Sequence, residues 1–264
     1  MIQRFSKPDL YIRRCGHLDA TVTEHRIDGA PAFMRGLRAL FVSDLHVRPN
    51  TTQAELDALV DRIAGASPQL LLLGGDYSDF AEDCVRFFRT LGRLSFPLGA
   101  YGVLGNNDAE AWEGKLRTLR KIMSQAGCRL LINASVNIPL GGGKFCVGGI
   151  DEYRYGNAHT NRLWSDEGNG NLYRILLSHY PVLPKEQPEL MLCGHTHGGQ
   201  FNLLGLTPFA IGFERFGRPR RASAAISGLH DLGGMKLLVS KGVGASRLQL
   251  RFGVRPEINL LLFE

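Results

Sequence analysis

Three short apolar runs, each broken off by glycine or a polar residue, constrain the fold of this chain more than any other feature. Residues 38–43 (RALFVS), 69–73 (QLLLL) and 100–104 (AYGVL) have the length and leucine- or valine-rich character of buried strands. Each is followed by a helical pattern. Residues 53–64 (QAELDALVDRIA) place Leu56, Leu59, Val60 and Ile63 on one helical face. Residues 79–94 read as a second helix with Asp79 as its N-cap, and residues 111–126 as a third, ended by Gly127. Strand–helix alternation of this kind predicts a mostly parallel sheet flanked by helices.

The second half is different. Residues 130–137, 144–149, 173–178, 190–193, 235–240 and 257–263 read as short strands joined by Gly-rich turns, with only weak helical pattern between them. A second sheet packed on the first would bury the apolar faces of both. The expected architecture is α/β: a two-sheet β-sandwich flanked by helices, spanning 1–264 as one domain. No repeat and no Pro/Ser-rich linker divides it.

Composition supports a globular chain. Of 264 residues, 44% are hydrophobic, which supplies a sizeable core and excludes disorder as a whole-chain description. No apolar stretch approaches the roughly 18–20 residues of a membrane span. The N-terminal MIQRFSKPDLYIRRCGHL has no apolar core of a secretory signal. Five cysteines (Cys15, Cys84, Cys128, Cys146, Cys193) form no C-x-x-C pair, and their odd number fits a reducing, cytoplasmic setting. The net charge is 31 − 25 = +6, yet nothing reads as a nucleic-acid-binding motif. The outlier is glycine: 32 residues, many placed directly after apolar runs, where backbone turns sharply or approaches a ligand.

Five polar groups follow the expected strands: Asp44-Leu-His46, Gly75-Asp76, Gly105-Asn106-Asn107-Asp108, Ser178-His179 and Gly194-His195-Thr196-His197. They hold four of the chain's eight histidines. In open α/β sheets ligands bind at that strand edge. Taken singly, most have a commoner structural reading: D-x-H as a turn with a capping His, Gly-Asp and Asn-Asn-Asp as turns. His-x-His more often marks a metal. Five groups in this order at matching strand ends are not explained by turns. Imidazole with carboxylate suits Mn, Fe or Zn better than Ca or Mg. One Asp can bridge two cations, and two metals roughly 3.5–4 Å apart can clamp a phosphoryl group.

On these residues the chain resembles the calcineurin-like metallophosphoesterase family, whose pattern is D-x-H, G-D, G-N-H-[DE], H and G-H-x-H. Here it stands as SDLH, GGD, GNND, SH and CGHTH, from Asp44 to His197. GHTHGGQ and the later LLVSKGVGASRLQLRFGVRPEINLL are similar to a bacterial branch of small phosphodiesterases, some membrane-associated or acting on lipid-linked substrates. The resemblance implies a four-layer αββα fold and two divalent or trivalent transition-metal ions. One would be held by Asp44, His46, Asp76 and His197; the other by Asp76, Asn106, His179 and His195. A water or hydroxide shared by both would attack phosphorus, with Asn106 helping to stabilise the phosphoryl oxygens.

The chain departs from the family pattern at Asn107, where the family commonly has a His thought to protonate the leaving oxygen. An amide donates a hydrogen bond but delivers no proton near pH 7, and general acid catalysis is worth roughly 10²–10⁴-fold. Asp108, next to it, loses the partner it would orient and is expected to cap the next helix. Asn106, Asn107 and Asp108 are the candidate catalytic residues. The implied activity is phosphodiester hydrolysis of a small-molecule or lipid-linked phosphate ester. The alternatives are a pyrophosphate-bond hydrolase acting on a nucleotide-sugar lipid precursor, and a non-catalytic scaffold of the same fold.

Other residues have plainer readings. Asp151 and Glu152 follow the run FCVGGI and are expected in a cap or surface turn rather than the pocket. Gly198 and Gly199 allow tight backbone packing, and Cys193 points to the core on strand alternation. Residues 213–221 (FERFGRPRR) are a solvated loop by default. The sharper alternative is peripheral membrane or head-group contact through Arg215, Arg218, Arg220 and Arg221.

Overall fold

Four consecutive leucines, Leu70–Leu73, show how the sandwich is built. Alternate side chains of a strand face opposite ways. Leu70 and Leu72 enter the core between two sheets, while Leu71 and Leu73 enter a second core under the helices. A strand covered on both faces has no polar side, so the run is continuous rather than alternating. The computed structural model describes residues 12–14, 18–161, 163–164, 172–203, 206–207, 225–246 and 248–264.

In chain order the elements are β1 (Ile12–Arg14), β2 (Thr21–Ile27), β3 (Arg38–Val42), α1 (Gln53–Gly65), β4 (Leu70–Leu73), α2 (Ala81–Leu91), β5 (Ala100–Gly102), α3 (Asn106–Ala111), α4 (Leu116–Gln125), β6 (Cys128–Leu130), β7 (Ala134–Leu140), β8 (Gly143–Gly149), β9 (Tyr173–Ser178), β10 (Leu190–Cys193), β11 (Gly228–Asp231), β12 (Lys236–Val239), β13 (Leu250–Phe252) and β14 (Glu257–Phe263). The first sheet has the order β2-β14-β3-β4-β5-β6 and the second β11-β12-β10-β9-β8-β7; β1 pairs with β13 alone. Strands β3 to β6 run parallel, as do β8, β9, β10 and β12. β14 enters antiparallel beside β3, and β7 and β11 lie antiparallel at the edges of the second sheet.

Three apolar layers follow. Leu56, Leu59 and Ile63 of α1, Phe87 and Phe88 of α2, and Leu119 and Met123 of α4 pack on the outer face of the first sheet. Phe41, Leu72, Val147, Ile175, Leu192 and Leu261 fill the space between the sheets. On the outer face of the second sheet, Met191, Cys193 and Leu237 meet Ile150, Leu163 and Trp164. Cys193 is core, as alternation required.

Several boundaries differ from the sequence expectation. Residues 111–126 hold only the last residue of α3 and the whole of α4 rather than one continuous helix, with Gly114 at φ +67° in the break between the two helices. The first of these begins at Asn106, so Asn106 and Asn107 form a helix start, not a free turn. The strand expected over 130–137 divides between β6 in the first sheet and β7 in the second. The helix expected from Asp79 begins at Ala81, with Phe80 at the cap and no side-chain capping bond. Asp79 has another use, described below.

Candidate metal centre

Loops at the ends of five strands carry the site. β3 runs into residues 43–46, β4 into 74–76 and β5 into 103–106, while β9 and β10 end in His179 and in residues 194–197. Parallel neighbours present their C-terminal ends side by side. Main-chain bonds then lock loop to loop. The N–H of Asp44 donates to Gly75 O at 2.9 Å, that of His46 to Asp76 O at 3.0 Å, and that of Gly194 to His179 O at 3.0 Å. The two sheets are joined where the His195 N–H reaches both carboxylate oxygens of Asp44, at 3.0 and 3.1 Å. Gly194 permits this approach: a Cβ there would overlap the side chains of Ser43 and Asp44.

All seven side chains expected to bind metal come together. One ligand atom each from Asp44, His46 and His197 lies within 4.8 Å of the others; so does one each from Asp44, Asp76 and His179, and all five residues are buried. His46 Nε2 stands 3.2 Å from His197 Nε2 and 3.5 Å from Asp76 Oδ2. The same Asp76 oxygen is 3.4 Å from His179 Nε2. His195 Nδ1 is 3.3 Å from His179 Nε2 and 3.1 Å from Asn106 Oδ1. Asp76 thus stands between two clusters of nitrogen and oxygen atoms. Asp44 belongs to both triads, where the resemblance assigned it to one.

The backbone is strained where these residues sit. Asp44, His46, Asp76, His195 and His197 have φ between 45° and 70°. A non-glycine residue in that region costs about 1–3 kcal/mol. Such conformations persist only where surrounding bonds over-determine them, and here the loop-to-loop bonds do so.

The donor set fits a transition metal. His46 Nδ1 faces Asp79 Oδ1 at 2.8 Å, and His179 Nδ1 faces Gly74 O at 2.8 Å. A carboxylate or carbonyl oxygen only accepts, so each ring carries a proton on Nδ1, and Nε2, on the side of Asp76, is the nitrogen that would bind a cation after giving up its own proton.

Electrostatics follow from burial. Burial pushes the Asp44 carboxyl up. Asp76 is equally buried, but the charges of His179 and His46 hold it well below the usual carboxylate range. Burial works against charge on His179, yet Asp76 raises it to about 10. For His46, burial is outweighed by Asp79 and Asp76, and the ring is shifted up. Burial, His46 and Arg251 together keep His197 well below the ordinary histidine range. Burial and the Asp76 charge push Asp108 up to about 7, against three N–H donors that favour its ionised form.

Asp108 caps the start of α3, the helix it lies in, rather than the helix expected after it, and does more. One of its oxygens accepts from Gly105 N–H at 2.9 Å and Asp76 N–H at 2.6 Å, and the other from Tyr77 N–H at 3.0 Å. It therefore pins the β4 loop that carries Asp76. Asp151 and Glu152 accept main-chain N–H groups of residues 152–157 and organise a turn. Arg215, Arg218, Arg220 and Arg221 lie outside the described residues.

Four supporting residues escaped the sequence reading. Asp79 backs His46, and Arg48 Nε donates to Asp79 Oδ2 at 2.6 Å. Arg251, fully buried, has Nη2 3.1 Å from His197 Nδ1. The Tyr180 ring lies 3.9 Å from that of His195, and its hydroxyl donates to Asn106 Oδ1 at 3.4 Å. Only Asp79 had a local signal: its place three residues after Asp76 in GGDYSD.

A sequence profile described as calcineurin-like phosphoesterase matches residues 37–199, more than half of the chain, and the chain belongs to that family of metal-dependent phosphoester hydrolases. Among curated relatives, the phosphodiesterase YaeI of Escherichia coli (strain K12) is 30% identical over 241 residues, covering 85% of this chain and 81% of that protein. The uncharacterized metallophosphoesterase YkoQ of Bacillus subtilis (strain 168) is 27% identical over 245 residues, covering 90% of this chain and 87% of YkoQ. A transmembrane protein with metallophosphoesterase domain from Bos taurus is 25% identical, covering 92% of this chain and 56% of its own length. No helix among the described residues of this chain is long and apolar enough to cross a membrane.

Proposed function

We propose that this chain is a dinuclear metal-dependent phosphodiesterase. The observation that carries the reading is the convergence of two ligand clusters on Asp76, whose Oδ2 lies 3.5 Å from His46 Nε2 and 3.4 Å from His179 Nε2. Asp44, His46, Asp76 and His197 would hold one cation; Asp76, Asn106, His179 and His195 would hold the other. Mixed imidazole and oxygen donors favour Mn, Fe or Zn. Two such cations supply charge for the phosphoryl oxygens and an acidified water. Likeness to a relative named phosphodiesterase supports the diester assignment. A non-catalytic scaffold gives no account of five ligand residues held on strained backbone.

The chain's own groups set the substrate preference. Asn107 carries no titratable proton, so nothing at that position protonates a leaving alkoxide near neutral pH. Acidic leaving groups depart unaided. The substrate is a small phosphate ester, with a lipid-linked ester and Arg-mediated membrane contact as the sharper form of this reading. The one-domain organisation over 1–264 and a cytoplasmic setting belong to the same reading; the four described cysteines are free and buried.

The test is a plot of log kcat/KM against leaving-group pKa for aryl and alkyl diesters, in wild type and in Asn107→His. Wild type should show a steep negative slope, with nitrophenyl diesters cleaved best. Asn107→His should flatten it, within a ceiling of roughly 10²–10⁴-fold on poor leaving groups. A shallow slope already present in wild type would mean that another group supplies the proton.

A further inference from the structure

We propose that Asn107 is a positioning residue that aims the Asn106 carbonyl into the second ligand cluster, through a hydrogen-bond relay whose direction Asp79 sets. The inference rests on the metal reading above and assigns Asn107 a task of its own within it.

The relay is fixed by donor and acceptor types. An ionised carboxylate only accepts. Asp79 is paired with the Arg48 guanidinium, and donor-bearing nitrogens face both of its oxygens. Its Oδ2 takes the Arg48 Nε–H at 2.6 Å, and its Oδ1 lies 2.8 Å from both His46 Nδ1 and Asn107 Nδ2. Asn107 must therefore turn its NH₂ toward Asp79. Its Oδ1 is left facing Asn106, whose Nδ2 donates to it at 2.7 Å. Asn106, meeting an acceptor, turns its own NH₂ that way, and its Oδ1 is left 3.1 Å from His195 Nδ1.

Direction matters because the two ends of an amide have nearly the same shape and opposite chemistry. A carbonyl oxygen ligates a cation; an NH₂ group does not. Tyr180 cannot supply the direction. Its hydroxyl can donate or accept, and its contact with Asn106 is long, at 3.4 Å. The acceptor-only group is Asp79, and Asn107 transmits its polarity. The same carboxylate orients His46, so one side chain sets a ligand in each cluster. The Asn107 N–H, bonded to Asp76 Oδ1 at 2.9 Å, keeps the relay in register with the bridging residue.

Two measurements test this. In metal-free protein, side-chain amide NMR should show one Nδ2 proton of Asn106 protected from exchange with water, and Asn107→Ala should abolish the protection. Titration with Mn²⁺ should show two binding events in wild type. Asn107→Ala and the similarly sized Asn107→Leu should weaken one event by roughly 10–100-fold and leave the other within about 3-fold. Agreement between the two variants separates loss of the relay from creation of a cavity. An unprotected Asn106 amide in wild type, unchanged affinities in both variants, or an equal fall at both sites would overturn the proposal. Protection in a wild type that binds no Mn²⁺ would overturn the metal reading instead, with the relay's hydrogen bonds intact.

Discussion

The two halves of the candidate centre share Asp76 but are held in place by different chemistry. Behind Asp44, His46 and His197 stand charged groups: Asp79 paired with Arg48, and the buried guanidinium of Arg251. Directly behind His179 and Asn106 stand neutral ones: a main-chain carbonyl, a phenol and the Asn107 amide, through which Asp79 reaches this half only indirectly. In the backbone the division is partial: Asp44, His46 and His197 all have positive φ, as does His195 of the second group, whereas His179 and Asn106 do not. Removing one partner from a buried charged contact leaves an uncompensated charge and costs several kcal/mol. Losing a neutral hydrogen bond costs about 1 kcal/mol. The first half is therefore stiff and costly to disturb. The second depends on the correct orientation of uncharged groups.

The largest effect should come from the residue common to both halves. Asp76→Ala should remove most bound metal and essentially all diester hydrolysis, whereas Asp44→Ala should mainly weaken the first site. Metal analysis beside activity checks this, and an Asp76→Ala protein with two tightly bound cations and near-normal turnover would refute the bridging role. Next in size is the contrast between supports. Asp79→Ala should lower metal affinity by roughly 10–100-fold, while Tyr180→Phe should change it by less than about 3-fold. Equal effects in a binding titration would erase the distinction between a charged and a neutral shell.

A smaller effect is readable without metal. The ordinary histidine value is 6.5, and in the folded metal-free chain Asp76 lifts His179 to about 10. The folded form thus holds its proton more tightly than the unfolded form. This pair contributes fully below about pH 6.5, and the contribution fades as pH rises through 10. Thermal unfolding of chelator-treated protein should show Tm falling across that interval more steeply in wild type than in His179→Gln. Parallel profiles would mean that His179 is neutral in the folded chain.

The same contrast marks what was legible in the sequence. All seven expected ligands lie in short motifs just past apolar runs, so strand-end placement and residue chemistry marked the motifs, while the ligand set itself came from the family resemblance. The strand over 257–263 was also legible, but not its place between β2 and β3, because pairing partners are chosen by contacts far apart in sequence. β2 alternates only weakly and went unread. Asp79 read as a helix cap because Asp before a helix usually is one; here His46, Arg48 and Asn107 compete for its oxygens and win. Arg251 reaches His197 across 54 residues, a contact that no local pattern encodes. The break at Gly114 within 111–126 was missed because the apolar spacing continues across it.

The central claim is that activity requires both halves filled. The most direct test is to titrate metal-free protein with Mn²⁺ while following hydrolysis of bis(p-nitrophenyl) phosphate. Activity should stay near zero through the first equivalent, rise with the second and reach its plateau at about two per chain. Full activity at one equivalent, or undiminished activity in the presence of a chelator, would contradict the account.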